Sequence, residues 1–403
     1  MLAATVRVAQ DLDLAEECVQ DAYVAALVAW TREGIPTKPG AWLTTIAKRR
    51  AMDAVRREQT FRSKLPLLVE PEASAALPAM EEAMTAAPED EVPDERLRLI
   101  FMCCHPALAQ EAQLALTLRL VCGLSSADIA RSLLVAETTM AARITRAKKK
   151  ISGARIPFRV PRAAELPDRL RSALGVIHLL FTAGHTAPSG ASLVRGDLVA
   201  RALHLARMLR TLMPGEPEVS GLLALLLVTD ARRATRVDAS GRLLRLEEQD
   251  RSRWDRAAIA EARELIAQAL HAGRPGRYVL QAAIAALYAD APTYDETDWP
   301  QIVAMYDALL SVWPSPVVAL NRVVGVSMMS GPAIALAQVE ELERDGRLAG
   351  YQYLPAIKAD LLRRLGRSNE AAAAYRQALE LTANEAEREF LSRRLTDSNS
   401  ESA

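Results

Sequence analysis

The 403-residue sequence has little that could build a sheet, a disulfide framework or a membrane span. Aromatic residues make up 4% of the chain, runs of β-branched residues are scarce, and there are four cysteines. So few cysteines exclude a disulfide-stapled fold and favour a reducing compartment. The most apolar stretch, residues 221–228, is far too short to cross a bilayer. The N-terminus also lacks the basic and then apolar run of a signal peptide, so we predict a cytoplasmic protein without a membrane partner.

Alanine, leucine and arginine dominate instead, and half of the residues are hydrophobic. This composition predicts an all-α fold spread over two or three domains, because the chain is too long for one core. The formal net charge is zero, so the total charge indicates no partner. The local charge is uneven, with 7 acidic and 2 basic residues over 61–93 but 12 basic and 5 acidic residues over 94–162.

Helical periodicity and prolines divide the chain into four segments. Residues 1–60 contain two helical patterns, and residues 61–93 form a predicted acidic flexible linker with weak periodicity. Residues 94–155 return to helical patterning, and a proline-marked joint leads into a helical region over 163–396. We therefore predict two small helical domains, a linker between them, and a large C-terminal helical domain.

The end of the C-terminal region has the spacing of a tetratricopeptide unit. Leu365–Gly366, Ala371, Tyr375 and Ala378 occupy the positions where such a unit places its turn and its small buried residues. Residues 315–342 form a looser second copy. Because stacked helical repeats bury one another's faces, the two copies predict a repeat-like domain.

The first domain pairs an acidic helix with a basic one. An apolar stripe at helical spacing marks the acidic helix: Leu14, Cys18, Val19, Ala22, Ala26 and Leu27. The polar face of that helix carries Glu16, Glu17, Gln20 and Asp21. The basic helix has an apolar stripe of Trp42, Ile46, Met52 and Val55. Between them stand the cations Lys48, Arg49, Arg50, Arg56 and Arg57. A loop over residues 31–40, rich in proline and glycine, is predicted to join the two helices.

Residues 124–151 have the pattern of a helix-turn-helix. Ser125 is a predicted N-cap with Asp128 in capping-box position. The first helix buries Ile129, Ala130 and Leu133, and the second has an apolar stripe of Met140, Ile144, Ala147 and Ile151. This stripe leaves seven residues facing outward: Thr138, Thr139, Ala142, Arg143, Arg146, Lys148 and Lys149. The early positions would reach base edges in the major groove, and the later cations would lie near phosphates.

Two features of this segment leave other interpretations open. The charges of residues 148–150 are also explained if they only complement the C-terminus of a helix, which is a common arrangement. Leu134 stands in the turn where many such motifs have glycine, and a left-handed leucine would cost about 1 kcal/mol. The two-helix pattern favours DNA binding, with a turn of different geometry.

Together, the two domains resemble an extracytoplasmic-function sigma factor, a member of the sigma-70 family of bacterial RNA polymerase factors. LAEECVQDAYVAAL resembles the polymerase-binding helix of region 2, and PGAWLTTIAKRRAMDAVRR resembles the helix that melts and reads the −10 element. Residues 116–151 resemble region 4, which reads the −35 element. FMCCHPAL, LFTAGHTAPSG and SPVVALNR are similar to a subgroup with a tetratricopeptide-like extension. The resemblance covers nearly the whole chain.

The resemblance implies partners and residue functions. The implied partners are core RNA polymerase and promoter DNA, and the C-terminal domain is expected to regulate activity in cis. The implied polymerase contacts are Glu16, Glu17, Gln20 and Asp21. The implied −10 contacts are Trp42, Lys48, Arg49, Arg56 and Arg57, with a flipped base captured by the loop over 31–40. The implied −35 contacts are the seven outward residues of the helix-turn-helix. For Trp42, a place in the core is the alternative.

Two other functions fit part of the same sequence. A helix-turn-helix regulator that binds duplex DNA without joining polymerase would not need the acidic helix. A repeat scaffold with an incidental basic helix would show no steep salt dependence of DNA binding. The chain also departs from region 2, which normally begins with a helix that starts earlier than Met1. Either the start is truncated or the first helix is short.

The sequence shows no pattern typical of a catalytic or metal site. Cys103, Cys104 and His105 have no second ligand pair at zinc spacing, and buried helix cysteines are the simpler interpretation. Three other histidines are scattered, and the GHTAPSG loop lacks the spacing of a phosphate cradle. We therefore predict no enzyme activity, no metal and no cofactor.

Overall fold

The computed structural model describes residues 1–64, 95–132, 135–154, 165–187 and 193–400, with a few single positions between 156 and 162. These residues form helices and no strand, apart from one isolated β-bridge, which confirms the predicted all-α class. They divide into two units, Met1–Val176 and Ile177–Ala403. The predicted linker over 61–93 lies outside the described residues, except for residues 61–64, which continue a helix.

Unit 1 begins with a short helix and two long ones. Its helices are α1 Leu2–Ala9, α2 Leu12–Glu33, α3 Pro39–Lys64, α4 Glu95–Cys103, α5 Gln110–Leu120, α6 Ser126–Ser132, α7 Glu137–Gly153 and the first part of α8, Leu166–His185. α1 ends where Gln10 adopts a left-handed φ of 54°. Asp11 then caps α2, because its carboxylate accepts a hydrogen bond from the Leu14 N–H at 2.8 Å.

α2 and α3 pack against each other through small side chains. The buried cluster between them consists of Ala22, Ala26, Leu43 and Ala47. Two residues assigned to the apolar stripes are exposed instead, Leu27 by 74% and Met52 by 39%, so the stripes were wrong at these positions. α2 has more apolar side chains than one packed face can bury. The loop predicted over 31–40 is also shorter, because α2 continues to Glu33 and α3 begins at Pro39.

A second core in unit 1 lies around α4 and α5. All residues from 99 to 104 are buried there, and burial raises the pKa of the Cys104 thiol to about 12. α8 belongs to this core as well. Arg169 donates to the Phe101 carbonyl at 2.9 Å, and the Ser172 hydroxyl is hydrogen-bonded to Gln113. The core of the segment predicted over residues 94–155 therefore also contains side chains of α8, which lies beyond the predicted end of that segment.

Unit 2 is built around a central helix. Its helices, after the end of α8, are α9 Gly196–Leu212, α10 Pro217–Ala231, α11 Arg256–His271, α12 Arg277–Asp290, α13 Trp299–Val312, α14 Pro316–Met329, α15 Pro332–Asp345, α16 Tyr353–Arg364, α17 Ser368–Leu381 and α18 Glu385–Ser400. α10 contacts α9, α11 and α12, so the apolar run over 221–228 is buried on all sides. Among the described helices, none is long and apolar enough to cross a membrane.

The second half of unit 2 has the predicted repeat-like arrangement. From α12 to α18, each helix packs against the next one along the chain. Ala371, Tyr375 and Ala378 are buried on α17, as the repeat spacing requires. The turns before α15 and α17 use glycines with left-handed φ, 88° at Gly331 and 72° at Gly366. Both copies therefore turn at a glycine within two residues of the start of the second helix.

Candidate nucleic-acid interface

α6 and α7 form the predicted two-helix arrangement. Ser125 accepts a hydrogen bond from the Asp128 N–H at 3.0 Å, which confirms it as the N-cap of α6. α7 packs on α5 and α6, and its buried residues are the four that were predicted: Met140, Ile144, Ala147 and Ile151. Leu133 and Leu134 in the turn lie outside the described residues. One face of α7 is therefore fixed by packing, and the opposite face is exposed to solvent.

Most of the residues predicted to contact the −35 element lie on that opposite face. Five of them are exposed: Thr138, Thr139, Ala142, Arg146 and Lys149. Arg143 is partly covered, and its guanidinium lies 4.0 Å from the carboxylate of Glu111 on α5. The exposed side chains extend from the first turn of α7 to its last turns.

Lys148 is placed differently from its neighbours. Its side chain is only 16% exposed and reaches across unit 1 to the start of α2. The ammonium donates to the Asp13 carboxylate at 3.2 Å and to the Glu16 carboxylate. Burial lowers the pKa of Lys148, but its hydrogen bonds to Glu16 and Asp13 outweigh burial and raise that pKa overall. The expectation that Lys148 faces outward was therefore wrong, because two carboxylates distant in sequence neutralise it.

The residues predicted to bind polymerase share one side of α2 but have different surroundings. Glu17 and Gln20 are exposed. Asp21 accepts a hydrogen bond from Arg50 of α3 at 2.5 Å, and Glu16 is engaged by α7 as described. Only part of the predicted acidic stripe is thus open to solvent.

An exposed apolar surface continues that stripe along α2. Tyr23, Val24, Leu27 and Val28 are each more than half exposed. Together with Glu17 and Gln20, the residues Val24, Leu27 and Val28 follow the helical spacing of three and four, and we call these five the α2 face. Sequence reasoning missed its apolar part because Leu27 was assigned to the buried stripe. The signal was the run of apolar residues over 22–29, which is too wide for one buried face.

The basic helix α3 exposes cations to solvent, whereas its tryptophan packs against neighbouring side chains. Three of the predicted −10 contacts are exposed: Arg49, Arg56 and Arg57. Lys48 is half-buried. The rings of Trp42 and Trp30 are 5.5 Å apart, and both pack on the cluster between α2 and α3. This packing favours the core alternative for Trp42 over a free stacking surface.

The cysteine and histidine cluster near residue 104 is part of the core. Cys103 and Cys104 are fully buried, and the Cys104 Sγ lies 4.0 Å from the Thr117 hydroxyl. His105 Nδ1 accepts a hydrogen bond from the Ala107 N–H at 3.1 Å. Across the described residues, no three His, Cys, Asp or Glu side chains are grouped so as to hold a metal ion.

Comparisons with known proteins match the same segments. Residues 2–61 match the family model of sigma-70 region 2, and residues 98–151 match that of sigma-70 region 4. Residues 169–270 match a family of unknown function. An uncharacterized protein of Rhizobium meliloti (strain 1021) is 42% identical over 390 residues, which cover 97% of this chain and 91% of that protein. No solved structure matches the chain.

The two sigma-70 matches coincide with the surfaces described above. The region 2 match contains α2, with its exposed face, and nearly all of α3. The region 4 match contains α6 and nearly all of α7. Both regions occur in one chain in this order, followed by a helical extension. The chain therefore belongs to the sigma-70 family of transcription initiation factors, and its two regions with a helical C-terminal extension are consistent with a sigma factor of the extracytoplasmic-function type.

Proposed function

We propose that the chain binds core RNA polymerase and directs promoter-specific transcription initiation. In this proposal the α2 face docks on polymerase, α3 opens and holds the −10 region, and α7 anchors the −35 element. The observation that carries the proposal is that one chain presents an exposed α2 face and an exposed α7 face. A regulator that only binds duplex DNA has no use for the first of these surfaces.

The composition of the α2 face suits a basic helical partner with apolar side chains. Its N-terminal part is acidic and polar, through Glu17 and Gln20, and its C-terminal part is apolar. Large exposed apolar patches mark interaction sites, since burying them on a partner removes them from water. Carboxylates at one end add orientation and association rate more than affinity. The apolar part is therefore expected to supply most of the binding energy.

The two helices proposed to contact DNA, α3 and α7, present different side chains to it. The exposed arginines of α3 suit phosphates of a separated strand, which bind cations regardless of base sequence. α7 presents Thr138 and Thr139 near its start, but Ala141 and Ala142 leave few side chains for base readout. We therefore expect α7 to grip the DNA backbone more than it reads the bases, with a strong dependence on salt.

We also propose that the C-terminal extension regulates sigma activity in cis. The family match of the extension begins at residue 169, and Arg169 is hydrogen-bonded to the backbone of the region 4 core. Ser172 is bonded to Gln113 in the same core. The first residues of the extension thus help to hold region 4 together, so a change in α8 reaches region 4 directly.

Run-off transcription with purified core polymerase and a library of genomic promoters tests the main proposal. The full chain should bind core and direct initiation, whereas Leu27→Arg should lower core affinity and run-off yield about tenfold. Leu270→Arg is a matched control, because Leu270 is an exposed leucine in unit 2. A chain that binds duplex DNA but never core would instead be a helix-turn-helix regulator, and the proposal would fail.

Removing the extension tests its regulatory function. A chain ended after Val176 keeps Arg169 and Ser172 and so preserves their bonds to region 4. We expect its promoter output or core affinity to differ from that of the full chain. Unchanged output and unchanged affinity would exclude regulation in cis.

A further inference from the structure

Unit 2 contains a cavity of about 600 Å³, partly open to solvent, that is lined by the end of α8, by α10 and by helices that follow it. Ligand pockets in proteins commonly have volumes of about 300–1,000 Å³. Trp254, Trp299 and Trp313 line the cavity, as do four of the eight tyrosines, although only five tryptophans are present in the whole chain. A chain so poor in aromatic residues thus concentrates them around one cavity. Flat apolar walls of this kind suit a flat or apolar ligand.

The cavity wall carries one charged side chain. Arg232 lines the cavity at the C-terminal end of α10, and no aspartate or glutamate is among the described lining residues. Burial lowers the pKa of Arg232, and within the described residues its guanidinium has neither a hydrogen bond nor an ion pair to another side chain. His178 is neutral, since burial and the nearby Arg277 lower its pKa to about 4. The cavity therefore has a positively charged wall that is complementary to a negatively charged group.

One tyrosine, Tyr288, lies near this arginine, and a second, Tyr306, lies near the first. Tyr288 interacts electrostatically with Arg232 and with Tyr306, and both tyrosines line the same cavity as the arginine. Burial raises the pKa of Tyr306 to about 12 and raises that of Tyr288 as well, so both hydroxyls keep their protons and can donate. Within the described part of the chain, neither hydroxyl forms a hydrogen bond to another protein group. Trp299 packs edge-on against Tyr288, with ring centroids 5.7 Å apart.

We propose that this cavity binds a small organic monocarboxylate with an aromatic or otherwise apolar body. Its carboxylate would pair with Arg232 and accept hydrogen bonds from the hydroxyls of Tyr288 and Tyr306, while its apolar part lies against the tryptophans. A neutral ligand would leave the guanidinium without a counter-charge. The proposal does not depend on the sigma function, because it concerns binding to unit 2 alone.

Isothermal titration calorimetry on the full chain tests the binding. The probes are benzoate, 3-phenylpropionate, 2-naphthoate and octanoate, each compared with its neutral primary amide. At least one acid should bind saturably with one site per chain, and its amide should bind at least tenfold more weakly. Tryptophan fluorescence provides a second readout, since three tryptophans line the cavity. If no acid binds, or if acid and amide bind equally, the proposal is overturned.

Variants locate the binding. Arg232→Gln should weaken the acid at least tenfold and leave the affinity for the amide unchanged, and Tyr306→Phe should weaken the acid severalfold. Arg233→Gln is the matched control, because Arg233 pairs with Asp230 at 3.3 Å and does not line the cavity. Should Arg232→Gln fail to fold, Tyr306→Phe and the acid-to-amide ratio of the unaltered chain decide the matter. Equal loss of binding in Arg233→Gln and Arg232→Gln would overturn the proposal.

Discussion

The contact between Lys148 and the start of α2 predicts that one lysine of the basic run stabilises unit 1 while the next one does not. Lys148 bonds to Glu16 and Asp13, whereas Lys149 is exposed on the outward face of α7. We therefore expect Lys148→Ala to loosen α7 from α2. Lys149→Ala, the matched control, should change stability by less than about 0.5 kcal/mol, as surface substitutions usually do.

The expected loss of stability follows from how far Lys148, Asp13 and Glu16 are buried. Two unit charges 3.2 Å apart attract each other by about 5 kcal/mol at an effective dielectric constant of about 20, before desolvation and lost side-chain entropy are subtracted. Asp13 is 68% exposed, so its pair with Lys148 falls in the surface range of about 0.2–1 kcal/mol. Glu16 is 24% exposed and Lys148 is 16% exposed, which places their pair above that range. We expect a total loss of about 1–2 kcal/mol for Lys148→Ala.

Hydrogen-exchange mass spectrometry of the full chain is the suitable assay. The chain has two units, so a single global unfolding free energy is not well defined, whereas exchange reports the local opening of α2 and α7. A loss of 1–2 kcal/mol corresponds to about 5- to 30-fold faster exchange in these helices. Glu16→Gln completes a double-mutant cycle, which separates the charge interaction from the packing of the lysine stem.

The cycle can also refute the reasoning. The coupling between Lys148→Ala and Glu16→Gln should be about 1 kcal/mol. A coupling below about 0.3 kcal/mol would show that the contact contributes nothing measurable. Equal acceleration of exchange in Lys148→Ala and Lys149→Ala would show that the effect is general to the basic run.

Three further predictions follow from the packing, the buried histidines and the basic run. Gly221→Ala should destabilise the protein by about 1–3 kcal/mol, because a Cβ at this position would lie 2.6 Å from the backbone of α12. Gly153→Ala, the control, has open space around its Cβ and should not destabilise the protein. Calorimetric unfolding midpoints that shift equally in the two variants would contradict this prediction. Burial lowers the pKa of His185 to about 3, so the stability of the folded chain should fall as the pH drops from about 6.5 to 3. His185→Phe should flatten that part of the plot of unfolding midpoint against pH. An unchanged plot would show that His185 does not cause the loss of stability. When the affinity for −35 duplex DNA is measured at several salt concentrations, Lys149→Ala should reduce the slope of log affinity against log salt concentration by about 1, and Lys148→Ala should reduce it by less. The reverse order would contradict the exposed position of Lys149 and the paired position of Lys148.

Local spacing was sufficient for the N-cap of α6 and for the buried side of α7. Ser125 and Asp128 cap α6 because both groups lie within one helical turn, so their meeting needs no tertiary information. The four buried residues of α7 follow from the periodicity of one helix, since the side opposite a charged face must pack on something. The sequence alone likewise predicted the order of the two sigma-70 regions and the all-α class.

The tertiary structure decided which of the remaining side chains are free. Lys148 and Lys149 are neighbours of the same type, yet only Lys148, which lies beside the buried stripe of α7, meets carboxylates from a helix 132 positions away in the chain. Leu27 lies on an apolar stripe but is exposed, because small residues bring α3 against the neighbouring face of α2. Arg232 is one arginine among many until helix packing encloses it with tyrosines and tryptophans. Periodicity determines which way a side chain points from its own helix, whereas its partners depend on which distant helix packs there.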